Sequence, residues 1–314
     1  MKSEFIHLTN KTEYSLSEGA LPISRISELC KSFSMPAVGI SDTNNMFGAL
    51  EFSETLSRAG IQPIIGCNVK IKTPKNYLHE NIDNEDHHFF LNIFSKNEKG
   101  YKNLLNIISS GYMSHKENAY IDIPTLFKNK DGLLVLSGGN NSILKHSYGN
   151  NITSQSSSFI SDFKSEFKDN FYIEIQRIGE INYRINEEAI LNLAYDNHIP
   201  LVATNDVYFE GPDYYEAHDA LMCIEKKIFV SQKDRKKLSK NHYFKSQDEM
   251  YELFADLPEA LSNTIEIAQK CHHRPKIKLP VLPTFHDDAS QEKKLLRELS
   301  YNGLKKNLKQ KFLN

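Results

Sequence analysis

Seven short runs rich in β-branched and aromatic residues, at 5–9, 37–41, 64–71, 88–95, 132–137, 171–177 and 201–205, alternate with amphipathic stretches across the first 210 residues. That alternation predicts an α/β fold on a parallel sheet, because a strand returning parallel to its predecessor needs a crossover, usually a helix. Seven helix-covered strands are expected to close into a barrel, since an open sheet leaves two edges to protect. The intervening helices are expected at 22–33, 48–58, 98–111, 158–167 and 183–197, with Gly60 and Gly111 as C-terminal stops. Pro200 marks the turn into the seventh strand.

After Glu210 the strand patterns cease and helical segments follow at 214–224, 246–254 and 258–271. Arg274-Pro275, Leu279-Pro280 and Leu282-Pro283 then make a stiff linker, because each Pro excludes its predecessor from the α region. The expected division is a first domain at 1–275 and, at 276–314, a linker leading into a last helix near 290–312. That helix places Leu304, Leu308 and Phe312 on one face, an apolar stripe that reads as the start of a truncated domain.

Composition narrows the function classes. With 38 basic and 40 acidic residues and a net charge of -2, there is no global electrostatic case for wrapping nucleic acid, so any such contact must be local. Cys30, Cys67, Cys223 and Cys271 form no CxxC pair and read as reduced thiols, not as a zinc finger or a disulfide framework. There is no 18-residue apolar run and no secretory h-region, so neither export nor membrane insertion is expected, and the expected location is cytoplasmic.

In a barrel the C-terminal ends of the strands converge on one mouth, and chemistry is sought there. Those ends supply His7, Thr9, Lys11, Asp42, Thr43, Asn68, Gly139, Ile178, Asp206 and Tyr208. A hydrolytic metal centre needs about four to six N, O or S donors per ion. This inventory of hydroxyls, amides, a glycine and an isoleucine falls short of that.

The stretch HLTNKTEYSL at 7–16 resembles the opening His-Leu-His-x-His-Ser/Thr-x-Tyr-Ser-Leu of the PHP (polymerase and histidinol phosphatase) domain in the bacterial DNA polymerase III alpha-subunit family. Further blocks are similar to it: GISD (39–42), NMFG (45–48), AGIQPIIG (59–66), NEKGYKNL (97–104), LSG (136–138), VATNDV (202–207), EAHD (216–219) and ELFADLPEALSNT (252–264). The resemblance runs over nearly the whole chain. It implies a distorted seven-stranded (β/α)7 PHP barrel followed by a helical extension toward the polymerase palm. Metal-binding members hold up to three ions and can hydrolyse phosphoesters.

Carried over residue by residue, this chain departs from that pattern. The two histidines of the first motif fall on Thr9 and Lys11, and the histidine after the second motif's aspartate falls on Thr43. The Gly-x-Glu glutamate falls on Asn68, the histidine of the fourth strand on Phe90, and the cysteine after Ser-Gly on Gly139. The later histidines fall on Ile178 and Tyr208; Asp206 remains, with Asp42 beside the lost histidine. A Lys11 pointing inward is expected to replace a divalent ion's charge and pair with Asp42 or Asp206, leaving a pocket that is metal-free and inert.

The resemblance further implies that the polymerase aspartates and their magnesium belong to a palm domain beyond residue 314, so no catalytic residue or cofactor is expected in this fragment. Its expected role is a scaffold that docks the proofreading exonuclease (epsilon) subunit among the other polymerase III holoenzyme subunits, with DNA reached through the intact subunit. Two alternatives stand beside it: an active metal-dependent PHP phosphoesterase or 3′→5′ exonuclease, and a basic nucleic-acid-binding module.

Other candidates carry less. His88 shares a face with Phe90 by period two and could rescue a ligand, but one His and one Asp do not make a coordination shell, and His87 and His88 read as surface residues. His218 and Asp219 are adjacent on a helix and do not face each other, so His218 reads as a packing or hydrogen-bonding residue. Asp287 and Asp288 precede a helix, where carboxylates meet its dipole favourably. Residues 226–240 carry seven basic groups against one acidic, and 290–314 carry seven against two. Lys236, Lys237, Lys305 and Lys306 are therefore candidate DNA contacts, against the plainer reading of solvated faces.

Overall fold

The computed structural model describes residues 5–77, 87–115, 118–139, 142–146, 154–179, 181–232, 234–235, 237–280, 284–286 and 288–311. They fall into two compact units, Met1–Lys276 and Ile277–Asn314. In the first, α1 (Ile23–Ser32), β1 (Ala37–Ile40), α2 (Ala49–Arg58), β2 (Gln62–Lys72) and β3 (His88–Ser95) are followed by α3 (Glu98–Ser114), α4 (Ile123–Lys128) and β4 (Leu133–Leu136). Then come α5 (Ile143–His146), α6 (Ser154–Phe167), β5 (Phe171–Gln176), α7 (Ile181–Asp196), β6 (Leu201–Thr204), α8 (Tyr215–Lys226), α9 (Gln247–Leu253) and α10 (Pro258–Lys270). The second unit holds α11 (Ala289–Lys311), on which Leu296, Leu299, Leu304 and Leu308 are exposed. Phe312 lies outside the described residues. No helix among them is long and apolar enough to cross a membrane.

The six strands form one sheet in sequence order. β1, β4, β5 and β6 are buried along their whole length, as befits strands with packed side chains on both faces. Helices close over them through apolar stripes such as Ile23, Ile26 and Cys30 of α1, at spacings of three and four residues. Local signals set the ends: Asn97 caps α3 by accepting from Gly100 N–H, and Ser246 and Glu249 form a capping box on α9.

The sheet is not uniformly parallel. β1–β2, β4–β5 and β5–β6 are parallel, but β3 runs antiparallel to both β2 and β4. The expected uniformly parallel sheet is thus corrected at β3; an antiparallel neighbour needs no helical crossover, whereas a parallel one does. The first predicted strand is not a regular strand either. Residues 5–11 bridge β1 and the segment after β6: Gly39 N–H donates to His7 O (2.7 Å) and Ser41 N–H to Asn10 O (3.0 Å) on one side, while Lys11 N–H donates to Val207 O (2.8 Å) and Val207 N–H to Thr9 O (2.9 Å) on the other. The approach to β1 is tight enough that a Cβ on Gly39 would lie 2.3 Å from Leu8 O. Gly111 does not end α3, which continues to Ser114; it sits where a Cβ would come 3.1 Å from Tyr120 O, so its role is close packing.

Candidate functional site: a barrel mouth filled by its own side chains

The C-terminal ends of β1, β2, β5 and β6, together with the reversed β3, bring three buried carboxylates toward one end of the barrel: Asp42, Glu174 and Asp206. Each is engaged differently.

Asp42 follows β1 and is 1% exposed. It accepts hydrogen bonds from Thr12 N–H (2.7 Å), Thr12 Oγ1 (2.8 Å) and Ser15 Oγ (2.7 Å). Burial raises its carboxyl above the usual range, while these hydrogen bonds and the Lys11 ammonium pull in the other direction. Lys11 is also buried, but its Nζ donates to the main-chain Ser41 O at 2.6 Å. The expected ion pair with Asp42 or Asp206 is therefore corrected: Lys11 is anchored on a peptide carbonyl, and Asp42 is satisfied by hydroxyls and an amide. The Cys67 thiol donates to Asp42 O at 3.2 Å and is pushed up to about 12 by burial.

Glu174, on β5, is the centre of the second cluster and was missed in the sequence. It accepts from Asn92 Nδ2 (2.9 and 3.2 Å), Gly138 N–H (3.1 Å), Gln176 Nε2 (3.0 Å) and Thr204 Oγ1 (2.5 Å). Asn68 Nδ2 joins by donating to Asn92 Oδ1 at 2.8 Å, across a β2–β3 register that pairs these two residues. Burial raises the Glu174 carboxyl, and the negative charge of Asp206 adds to the rise. A signal for this cluster existed: Tyr172, Glu174 and Gln176 share one face of β5 by period two.

The remaining positions are occupied rather than open. Gly139 has φ +50°, and a Cβ there would lie 2.3 Å from the Gln176 amide, which takes the room a cysteine would need. Phe90 pairs with Lys70, one step along the face from Asn68–Asn92, and is half-buried. Ile178 is buried, with its carbonyl accepting from Ser239 Oγ at 2.6 Å. Thr43 Oγ1 donates to Glu18 at 2.6 Å. Asp206, in a left-handed backbone at φ +49°, donates its N–H to Thr9 Oγ1 (3.2 Å), and its carbonyl accepts from His242 Nδ1 (2.9 Å). The Tyr208 ring packs edge-on against His218 and His242, and burial followed by the Asp206 charge raises its phenol. His218 Nε2 bonds Glu18 O at 2.6 Å. His87 is exposed, and the His88 ring lies 4.7 Å from that of Tyr120.

These residues do not fit a divalent ion. Among the described residues no three His, Cys, Asp or Glu side chains converge as a metal-ligand group. A buried ammonium sits beside Asp42, and the lone pairs of Glu174 and Asp42 are spent on hydrogen bonds from the protein itself.

Lys237 is exposed, and its charge helps hold Asp219 below the usual carboxylate range after the larger effect of Arg235, whose guanidinium binds Asp219 through two nitrogens. Lys236 and Asp287 lie outside the described residues. In the second unit Lys305 and Lys306 are exposed on α11, with Lys305 Nζ 4.9 Å from the Tyr301 ring centroid.

The chain is 38% identical over 97% of its length to the DNA polymerase III subunit alpha of Caulobacter vibrioides, covering 27% of that protein. It is 34% identical over 99% of its length to that of Rickettsia bellii, covering 26%, and 31% identical over 97% to that of Haemophilus influenzae, covering 26%. The chain thus spans about a quarter of the length of these relatives. The PHP domain family matches residues 7–178, more than half of the chain, and by that match the chain belongs to the PHP domain family.

Proposed function

We propose that this chain is the PHP-domain part of a replicative DNA polymerase III alpha subunit and acts there as a metal-free scaffold that docks the proofreading exonuclease subunit in the cytoplasm. Template-directed nucleotidyl transfer, with its magnesium, belongs to the rest of that subunit. The observation that carries the scaffold reading is the engagement of Asp42 and Glu174: buried carboxylates that serve as acceptors for the protein's own donors are structural groups, not vacant ligands. Likeness to polymerase III alpha subunits over 97% or more of the chain supports the assignment to replication.

Two measurements test the proposal. After incubation with zinc and manganese and exhaustive dialysis, the protein should retain no stoichiometric ion, and it should copurify with the exonuclease subunit. A retained ion, together with phosphoester hydrolysis abolished by chelator and by Asp206→Ala, would return the enzymatic reading. Salt-dependent DNA binding weakened by neutralising Lys237, Lys305 and Lys306 would favour the nucleic-acid module instead.

A further inference from the structure

The loops over the filled mouth are tied to one another and carry apolar side chains into solvent. Leu16 is 70% exposed, Phe47 64% and Leu50 43%. The segments that carry them are joined by hydrogen bonds. Asp42 holds Thr12 and Ser15, immediately before Leu16. Ser15 Oγ accepts from Thr43 N–H (3.1 Å), Asn45 Nδ2 donates to Tyr14 O (2.9 Å), and Asn45 Oδ1 accepts from Phe47 N–H (3.1 Å). Tyr14 OH donates to Glu51 at 2.6 Å, and its ring lies so close to Gly48 that a Cβ there would come within 2.7 Å. Loop 12–16 and the start of α2 are therefore one stitched surface, and its apolar groups are exposed by construction rather than by fraying.

The same surface is acidic. Glu13 and Glu51 are exposed, and burial raises the Glu13 carboxyl, with the Glu51 and Asp42 charges adding to the rise. Like charges held beside exposed leucine and phenylalanine are unfavourable in the free protein and are relieved by a cationic partner. We propose that this rim is a docking surface for a protein segment that presents apolar anchors flanked by Lys or Arg. The proposal rests on the scaffold reading above and deepens it: Asp42, buried at the mouth, shapes a binding face. A nucleic acid is the wrong occupant, since its phosphates would meet Glu13 and Glu51.

The test is calorimetric titration of the full chain with purified exonuclease subunit. The Leu16→Asp/Phe47→Asp double variant, altered only at exposed positions, should keep the wild-type melting temperature and bind roughly tenfold or more weakly, as expected for loss of central apolar anchors. Glu13→Lys should also weaken binding, and Phe229→Asp, at an exposed apolar residue outside loop 12–16 and α2, should not. If the wild-type chain fails to bind, both this inference and the scaffold reading fall. If the wild-type chain binds but the double variant binds within about twofold of it, or Phe229→Asp is equally damaging, the rim assignment alone falls.

Discussion

Replacing Glu174 by alanine removes an acceptor on which four buried donors converge, those of Asn92, Gly138, Gln176 and Thr204. Only the Gln176 amide keeps a partner, because its Nε2 already donates to Thr204 Oγ1 at 3.1 Å. The Thr204 hydroxyl, Gly138 N–H and Asn92 Nδ2 lose their acceptor; at about 1–3 kcal/mol for each orphaned buried donor, the expected loss is about 3–9 kcal/mol. That is a large part of the roughly 5–15 kcal/mol by which a domain is stable. Glu174→Gln keeps one acceptor oxygen for Asn92 Nδ2 and Gly138 N–H and should lose less than half as much, so the comparison survives even if the alanine variant fails to fold. The assay is urea unfolding followed by circular dichroism, in chelator and again with added zinc or manganese. The wild-type protein should unfold at the same midpoint in both. The reasoning is refuted if Glu174→Ala loses less than about 1 kcal/mol. It is equally refuted if metal stabilises the wild type but not the variants, since an ion at a hundred times its Kd would add about 2.7 kcal/mol.

Three further outcomes are expected. His7 is buried between Phe5 and Phe244, and burial lowers its pKa from 6.5 to about 3. The unfolded chain then binds the extra proton first, so stability should fall as pH drops from about 6.5 toward 3 and should fall less steeply in His7→Phe, measured as melting temperature against pH. Gly39→Ala forces a Cβ to 2.3 Å from the Leu8 carbonyl, backbone against backbone. It should cost about 1–3 kcal/mol or more in urea unfolding, by prying residues 5–11 from β1. Arg235 ties Asp219 of α8 to the carbonyl of Val230, so Arg235→Gln should speed tryptic cleavage after Lys226 and Lys227 several-fold, read by mass spectrometry against time.

The α/β alternation and most element positions were legible because hydrophobic period and capping chemistry are local properties of the chain. So were the donor types at Thr9, Lys11, Thr43 and Asn68, since ligand chemistry resides in side-chain identity. The reversal of β3 was not legible: the alternation of strand and helix patterns predicts a parallel sheet, and only the observed register pairs Asn68 with Asn92. What Lys11 and Glu174 bind could not be read at all. Lys11 meets a main-chain carbonyl thirty residues away, and Glu174 gathers donors from Asn92, Gly138 and Thr204 on separate elements. By itself the sequence determined which groups were available. Which donor faces which acceptor was decided only by strand direction, register and the closeness of backbones, because a buried polar group takes whatever partner tertiary packing brings within about 3 Å.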